Sequence, residues 1–320
     1  MSDNAAAASP TYGGQALIEG VMIRGASNVS IAVRRSDGDI LVETQPIGWR
    51  WVRTIRRVPL ARGVIVLSEM LVIGTRALIF SANVAAEERE QPTDTSEPPH
   101  DEEDGKGGAP PLSSIAVAGS LAFSLIAAIA LFFATPVFAT RFLDSLLDTT
   151  NLWSNIIEGA IRLAMFVAYI AAIGLLPDIR RVFAYHGAEH MTIHAQEHNQ
   201  PLTVSSIRQF STAHPRCGTA FILVVLVVAI IVHVFWTPPD LLERVLSRIV
   251  VLPLIAGISY EIIRWSGFHS GNILVRAIIG PNLLLQSLTT RQPDDDQIEV
   301  AIHALDGAME ADRRAAQAPA

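Results

Sequence analysis

Thr219-Ala-Phe-Ile-Leu-Val-Val-Leu-Val-Val-Ala-Ile-Ile-Val-His-Val-Phe-Trp236 is a Val/Ile/Leu run without a single acidic or basic Asp, Glu, Lys or Arg. An α-helix needs about 20 such residues to cross ~30 Å of hydrocarbon. Residues 114–139, 156–176 and 248–263 come near the same length and apolarity, the last carrying Pro253, Gly257 and Glu261. Half of the 320 residues are hydrophobic and only 17% are charged, which is too apolar for an ordinary soluble domain. The expected fold class is therefore mainly α: a polytopic membrane protein with about four transmembrane helices, its first partner the lipid bilayer.

Charge is unevenly placed. Residues 85–114 hold nine acids against two bases, an excess of seven that equals the whole net charge of −7. Rich also in Pro and Gly, the segment 85–113 reads as a disordered acidic linker. Ten arginines precede the first expected span, whereas the first loop has only Arg141. The second loop carries Arg180, Arg181, Arg208 and Arg216. The positive-inside rule then puts both termini and the 177–218 loop in the cytoplasm. A crossing by residues 64–80 would move that second loop outside, so this stretch, with Glu69 and Arg76, reads as an interfacial or re-entrant helix. Nothing suggests a nucleic-acid surface.

At the N-terminus, residues 1–12 read as a disordered tail, and residues 1–10 lack the basic start and apolar core of a secretory signal. Gly13–Gly25 is glycine-rich but has neither the G-K-[ST] ending of a phosphate loop nor G-x-G-x-x-G. Residues 29–34 and 40–43 are rich in β-branched side chains and flank Asp37-Gly38, which predicts a small β-hairpin. Residues 13–84 thus form an N-terminal cytoplasmic segment and 114–305 a membrane domain. Asp294, Asp295 and Asp296 read as a helix N-cap for residues 297–305, and 306–320 as a disordered tail.

The chemistry is carried by His186-Gly-Ala-Glu-His190. On a helix His186, His190 and His194 stack on one side, with Glu189 and Glu197 beside them. Two imidazoles one turn apart grip a divalent metal, and a neighbouring carboxylate takes a proton from water. H-x-x-E-H is the inverted zincin pattern, with Glu189 as general base; the bland alternative is a solvated helix face. In the same loop His214-Pro-Arg-Cys217 brings two further zinc ligands to the mouth of the third span. Each taken alone would be a loop histidine and a small buried cysteine. Glu261, an ionisable group in an apolar stretch, needs a partner or a job. It is either the third ligand, as inverted zincins take a downstream glutamate, or the partner of Arg264. The expected metal set is His186, His190, His214, Cys217 and Glu261. Nitrogen and sulfur donors favour zinc. Glu69 reads as the partner of Arg76 or Arg62.

Five stretches carry a family resemblance: Gly13–Gly25, Tyr185–His190, His214–Thr219, Pro253–Glu261 and Leu288–Val300. Together they resemble the YqhQ family of bacterial membrane proteins, a family of unknown function catalogued as predicted metal-dependent enzymes. The resemblance covers roughly residues 12–305. It implies a multi-pass protein of the bacterial inner membrane and supplies no reaction. Motif and resemblance together give a metal-dependent hydrolase at the cytoplasmic face, acting on a membrane peptide or a lipid-linked substrate. The alternative is a non-enzymatic scaffold or transport-associated protein with a structural metal site.

Overall fold

The computed structural model describes residues 12–47, 58–89, 114–147, 150–215, 217–235, 240–268 and 272–317. The tail 1–11, the arginines at 50, 53, 56 and 57, residues 90–113 and Arg216 lie outside the described residues.

The N-terminal unit is a four-stranded antiparallel meander, larger than the single expected hairpin: β1 (Gly13–Leu17), β2 (Gly20–Arg24), β3 (Asn28–Arg34) and β4 (Ile40–Pro46). The β3–β4 turn lies at Asp37-Gly38 as the sequence suggested, with Gly38 at φ +94°. The β1–β2 hairpin turns at Ile18-Glu19 instead, where Glu19 itself takes φ +53°. Glycines at 13, 14 and 20 dilute the alternation that would have announced these strands.

Side chains alternate across this sheet. Val21, Ile23 and Ala32 face α5 (Pro177–Glu197) and α11 (Asp295–Gln317). Met22, Val29, Ile31 and Val33 face α1 (Ala61–Arg89). The helix α11 starts on a capping box: the Asp294 carboxylate accepts from the Gln297 amide at 2.9 Å and the Gln297 side chain accepts from Asp294 at 3.1 Å. It runs well past residue 305, so the expected disordered tail is helical to Gln317. Asp312 explains the continuation. Its carboxylate accepts from the amides of Ala26 and Ser27 at 2.7 and 3.0 Å and from the Ser27 hydroxyl at 2.8 Å. Gly25 has no side chain because a Cβ there would stand 2.3 Å from Asp312.

The remaining helices are α2 (Ser114–Ile129), α3 (Thr135–Leu147), α4 (Asn151–Ile173), the single turn α6 (Val204–Ile207), α7 (Gly218–Val234), α8 (Leu241–Val250), α9 (Leu252–Phe268) and α10 (Ile273–Thr289). A π-helical turn, Ala130–Ala134, joins α2 to α3. Among the described residues three helices are long and apolar enough to cross a membrane, Ala61–Ala86, Ala122–Leu147 and Asn151–Ile173, or four if the bent pair of α8 and α9 counts as one span. The first is the stretch expected to lie in the interface, and one of its faces covers the sheet. Residues 219–234 of the expected third span lie in the 17-residue helix α7, and Trp236 lies outside the described residues. The 248–263 candidate is broken by 41° between α8 and α9, where Pro253 has no N–H for the preceding turn.

Buried ions fix how these helices meet. Glu158 on α4 is 1% exposed and meets three guanidiniums: Arg162 at 2.8 Å, Arg248 at 2.8 Å and Arg244 at 2.9 Å. The Phe132 carbonyl in the π-turn accepts from Arg162 Nε at 2.8 Å. A π-turn changes the carbonyl register of its helix, and here an arginine uses one of those carbonyls. Glu69 pairs with Arg24 of β2 at 3.2 Å, not with Arg76 or Arg62. Arg62 instead donates to Glu261, at 2.7 Å from Nε.

Asp312 gives a test of the α11–sheet seam. Burial acts to raise its pKa, but the amides of Ala26 and Ser27 and the side chains of Ser27 and Asn28 outweigh it and hold the carboxyl below its usual value. Asp312→Ala is expected to cost about 1–2 kcal/mol at neutral pH, read as a lower Tm. A carboxyl with a depressed folded pKa stabilises above its unfolded pKa, and that contribution fades as pH falls through the depressed value. The gap between wild type and variant should therefore close in acid.

Candidate functional site

Helix α5 begins with Pro177 at its first position, where a missing N–H costs nothing. Its histidine face meets two backbone segments that hold the rings. His186 Nδ1 lies 2.8 Å from the Thr289 carbonyl at the end of α10, and His190 Nδ1 lies 2.6 Å from the Thr212 carbonyl. A carbonyl only accepts, so each Nδ1 carries the proton and each Nε2 keeps its lone pair. His186 Nε2 points at Cys217 Sγ, 3.3 Å away. His190 Nε2 is buried, has no hydrogen-bond partner among the described residues and stands 3.9 Å from Glu189 Oε2. One donor atom from each of His186, His190 and Cys217 lies within 4.8 Å of the others.

Close backbone approach makes this possible. A Cβ on Gly187 would stand 2.1 Å from the Arg291 carbonyl, so only glycine lets α5 come against the end of α10. Gln286 of α10 clamps the loop at His214: its Nε2 donates to the His214 carbonyl at 2.9 Å and its Oε1 accepts from the His214 amide at 2.8 Å. On the other side β1 covers Glu189. A Cβ on Gly14 would fall 3.2 Å from the Glu189 side chain and 2.2 Å from the Met22 carbonyl.

Burial pushes the Glu189 carboxyl above its usual pKa, against the pull of His186, His214 and the Gly14 amide. Burial pushes the His190 imidazole down, so it favours the neutral ring, while Cys217 and the Thr212 carbonyl act the other way. Tyr185, one residue before His186, is raised by burial and by Glu19, whose carboxylate accepts from its hydroxyl at 3.2 Å.

A cavity of about 540 Å³ opens over this cluster. His186, Glu189, His190, His214 and Cys217 line one side, β1 residues Gly13 to Ala16 another. Leu67, Met70 and Leu71 of α1 and Phe221 and Ile222 of α7 form the apolar wall. Leu71 is 71% exposed and Ile222 is 42% exposed, so that wall continues onto the outer surface.

Of the five metal ligands expected from sequence, His186, His190 and Cys217 converge. His214 stands beside them, its ring 5.6 Å from that of His190, but its Nε2 turns to Glu197 at 3.3 Å. Glu261 is elsewhere: it belongs to the Arg62 pair that ties α9 to the start of α1, and it also accepts from the Leu60 amide. A cation on that carboxylate would have to displace a guanidinium. Glu19, for which sequence offered no spacing argument, accepts from Arg181 at 2.7 Å and braces α5. Gln286, Thr289 and Thr212 carry no motif, and only the structure shows their part.

The family model described as "Protein of unknown function (DUF1385)" matches residues 58–311. The Uncharacterized protein YqhQ of Bacillus subtilis (strain 168) is 33% identical over 296 residues, covering 92% of this chain and 91% of that protein. No solved structure matches.

The clamp on His214 is open to test. Gln286→Leu takes the side-chain acceptor from the buried His214 amide, at about 1–3 kcal/mol, and leaves the His214 carbonyl only the more distant Cys217 amide at 3.3 Å. Thermal unfolding should fall accordingly, and Cys217 in the loosened loop should react faster with a thiol reagent than in wild type.

Proposed function

The chain belongs to the DUF1385 family, and from that premise we propose that it is a metal-dependent hydrolase working at a membrane surface. The observation that carries this reading is the buried Nε2 of His190, which has no hydrogen-bond partner among the described residues, in a group with His186 and Cys217 whose donor atoms lie within 4.8 Å of one another beside Glu189. Metal-binding histidines commonly donate their other N–H to a carbonyl, as both rings do here. His186, His190 and Cys217 would hold a zinc ion with three protein ligands, the number found in catalytic rather than closed structural zinc sites. Soft and borderline donors select zinc over magnesium or calcium.

A bound divalent metal supplies Lewis acidity: it polarises a carbonyl and lowers the pKa of water. The protein's own residues do the rest. Glu189, 3.9 Å from His190 Nε2, is placed to take a proton from the attacking water and return it to the leaving group. Gly14 and β1 shut bulk water away from its carboxylate. The apolar wall of Leu67, Met70, Leu71, Phe221 and Ile222 receives the hydrophobic part of a membrane peptide or a lipid-linked molecule.

Apolar side chains stand outward along α2 and α3, with Phe123, Ile126, Phe142 and Leu146 all more than 60% exposed. Hydrocarbon around them removes that exposure from water, and this supports a place in the bacterial inner membrane. The arginine distribution supports a cytoplasmic site and cytoplasmic termini.

The test is metal content. Protein purified in detergent with zinc present should retain it, and His186→Ala and His190→Ala should each lose the cation held with Cys217. Glu189→Gln should keep the metal yet lower hydrolysis of a cleaved peptide or ester substrate by about 10²–10⁴-fold. A wild type that binds no zinc rejects the reading. Retained metal with unchanged turnover in Glu189→Gln removes the base and leaves a structural site.

A further inference from the structure

Helix α5 goes on offering donors after His190. On its next turns, His194 and Glu197 face the same loop, and with His214 they form a second group whose donor atoms all lie within 4.8 Å of one another. We propose that a second divalent cation binds between His194, Glu197 and His214, next to the one assigned to His186, His190 and Cys217.

The ring orientations suit it. His194 Nε2 lies 3.0 Å from the Ala213 carbonyl, so that nitrogen carries the proton and Nδ1 keeps its lone pair. His214 Nε2 donates to the Glu197 carboxylate at 3.3 Å, so a cation between them would replace that proton, and the His214 ring stands 4.5 Å from that of His194. His214 cannot drift, because Gln286 holds its amide and its carbonyl. The donor set is two imidazoles and a carboxylate, with no sulfur. Such a set takes zinc, and tolerates manganese or iron better than the thiolate site does. Access differs in part: His214 lines the same cavity as the first group, but the Glu197 side chain is also 24% exposed.

The two groups share their supports. Helix α5 gives two donors to each, and one short loop gives one donor to each, His214 and Cys217, three residues apart. A cation on His194, Glu197 and His214 ties that loop to α5. The order needed to present Cys217 is then already in place, so the first cation binds with less entropy to lose. By linkage the favour is mutual: each cation raises the affinity for the other by the same factor.

The second site stands whether or not the hydrolase reading holds, and cobalt(II) separates the two. A thiolate on Co²⁺ gives a near-ultraviolet charge-transfer band, which imidazole and carboxylate do not. The full chain in detergent, titrated with Co²⁺, should bind two equivalents, one of them with the band. Glu197→Gln should bind one equivalent, keep the band and lose affinity at the remaining site by at least about fivefold, the lower end of typical coupling. Cys217→Ser should bind one equivalent with no band. His194→Gln, judged by the same readout, covers the case in which Glu197→Gln fails to fold. A wild type holding one equivalent with the band, or a Glu197→Gln protein still holding two, overturns the second site. One equivalent without the band, lost in Glu197→Gln, supports the second site and counts against the first.

Discussion

Two backbone carbonyls, those of Thr289 and Thr212, decide what the histidine face of α5 can do. Each takes the proton-bearing nitrogen of one ring and so turns the bare nitrogen of both rings toward Cys217. Without these acceptors an imidazole on a helix has freedom about two bonds and either tautomer. The carbonyls come from different places, one from the end of α10 and one from the loop before α7. The arrangement therefore requires α5, α10 and that loop to meet with little slack. Gly187 against Arg291 and Gln286 against His214 supply the fit.

The same demand, that a buried polar group be paired, arranges the rest of the bundle. A charge taken out of water costs several kcal/mol unless partners replace the solvent. Glu158 answers it with three arginines from α4 and α8, and Arg162 reaches on to the π-turn between α2 and α3. Glu69 joins α1 to the sheet through Arg24. Glu261 joins α9 to the start of α1 through Arg62. Apart from Glu158–Arg162 on one helix, these pairs link elements far apart in sequence, so each charge is answered across a helix–helix or helix–sheet contact.

How much of this could be read beforehand depends on range. The 3.6-residue period put His186, Glu189 and His190 on one face. The Asp37-Gly38 turn and the Asp294 cap were legible because their chemistry is complete within four residues. Partners were not. Arg24 and Glu69 are 45 residues apart, Arg62 and Glu261 199 apart, and no local rule ranks Arg62 over Arg264, three residues from Glu261. Helix α10 was missed because Gly280 and Pro281 interrupt its pattern, although Pro281 is held within the helix. Glu158 and Arg162 were passed over inside a span for the same reason that makes them notable: two charges among many apolar residues barely alter a hydropathy average.

The site sits at a seam, and the seam explains its composition. On one side the sheet packs between α5 with α11 and α1, with Tyr185, Ala188 and Met191 of α5 fully buried. On the other side lie the apolar helices α7, α9 and α10. Helix α5 thus has one face for that core and must turn its histidines toward the bundle. Imidazoles placed there are shielded from water yet need polar partners, and an apolar helix has backbone carbonyls to spare only near its ends. The end of α10 and the loop leading into α7 are such places. A polar cluster with an apolar wall follows from that geometry, since α1 and α7 both pack on α9 and the cavity lies between their facing side chains. The chemistry of the cluster and the opening toward a hydrophobic surface therefore have one cause: the chain puts a helix with a polar histidine face where its two kinds of packing meet.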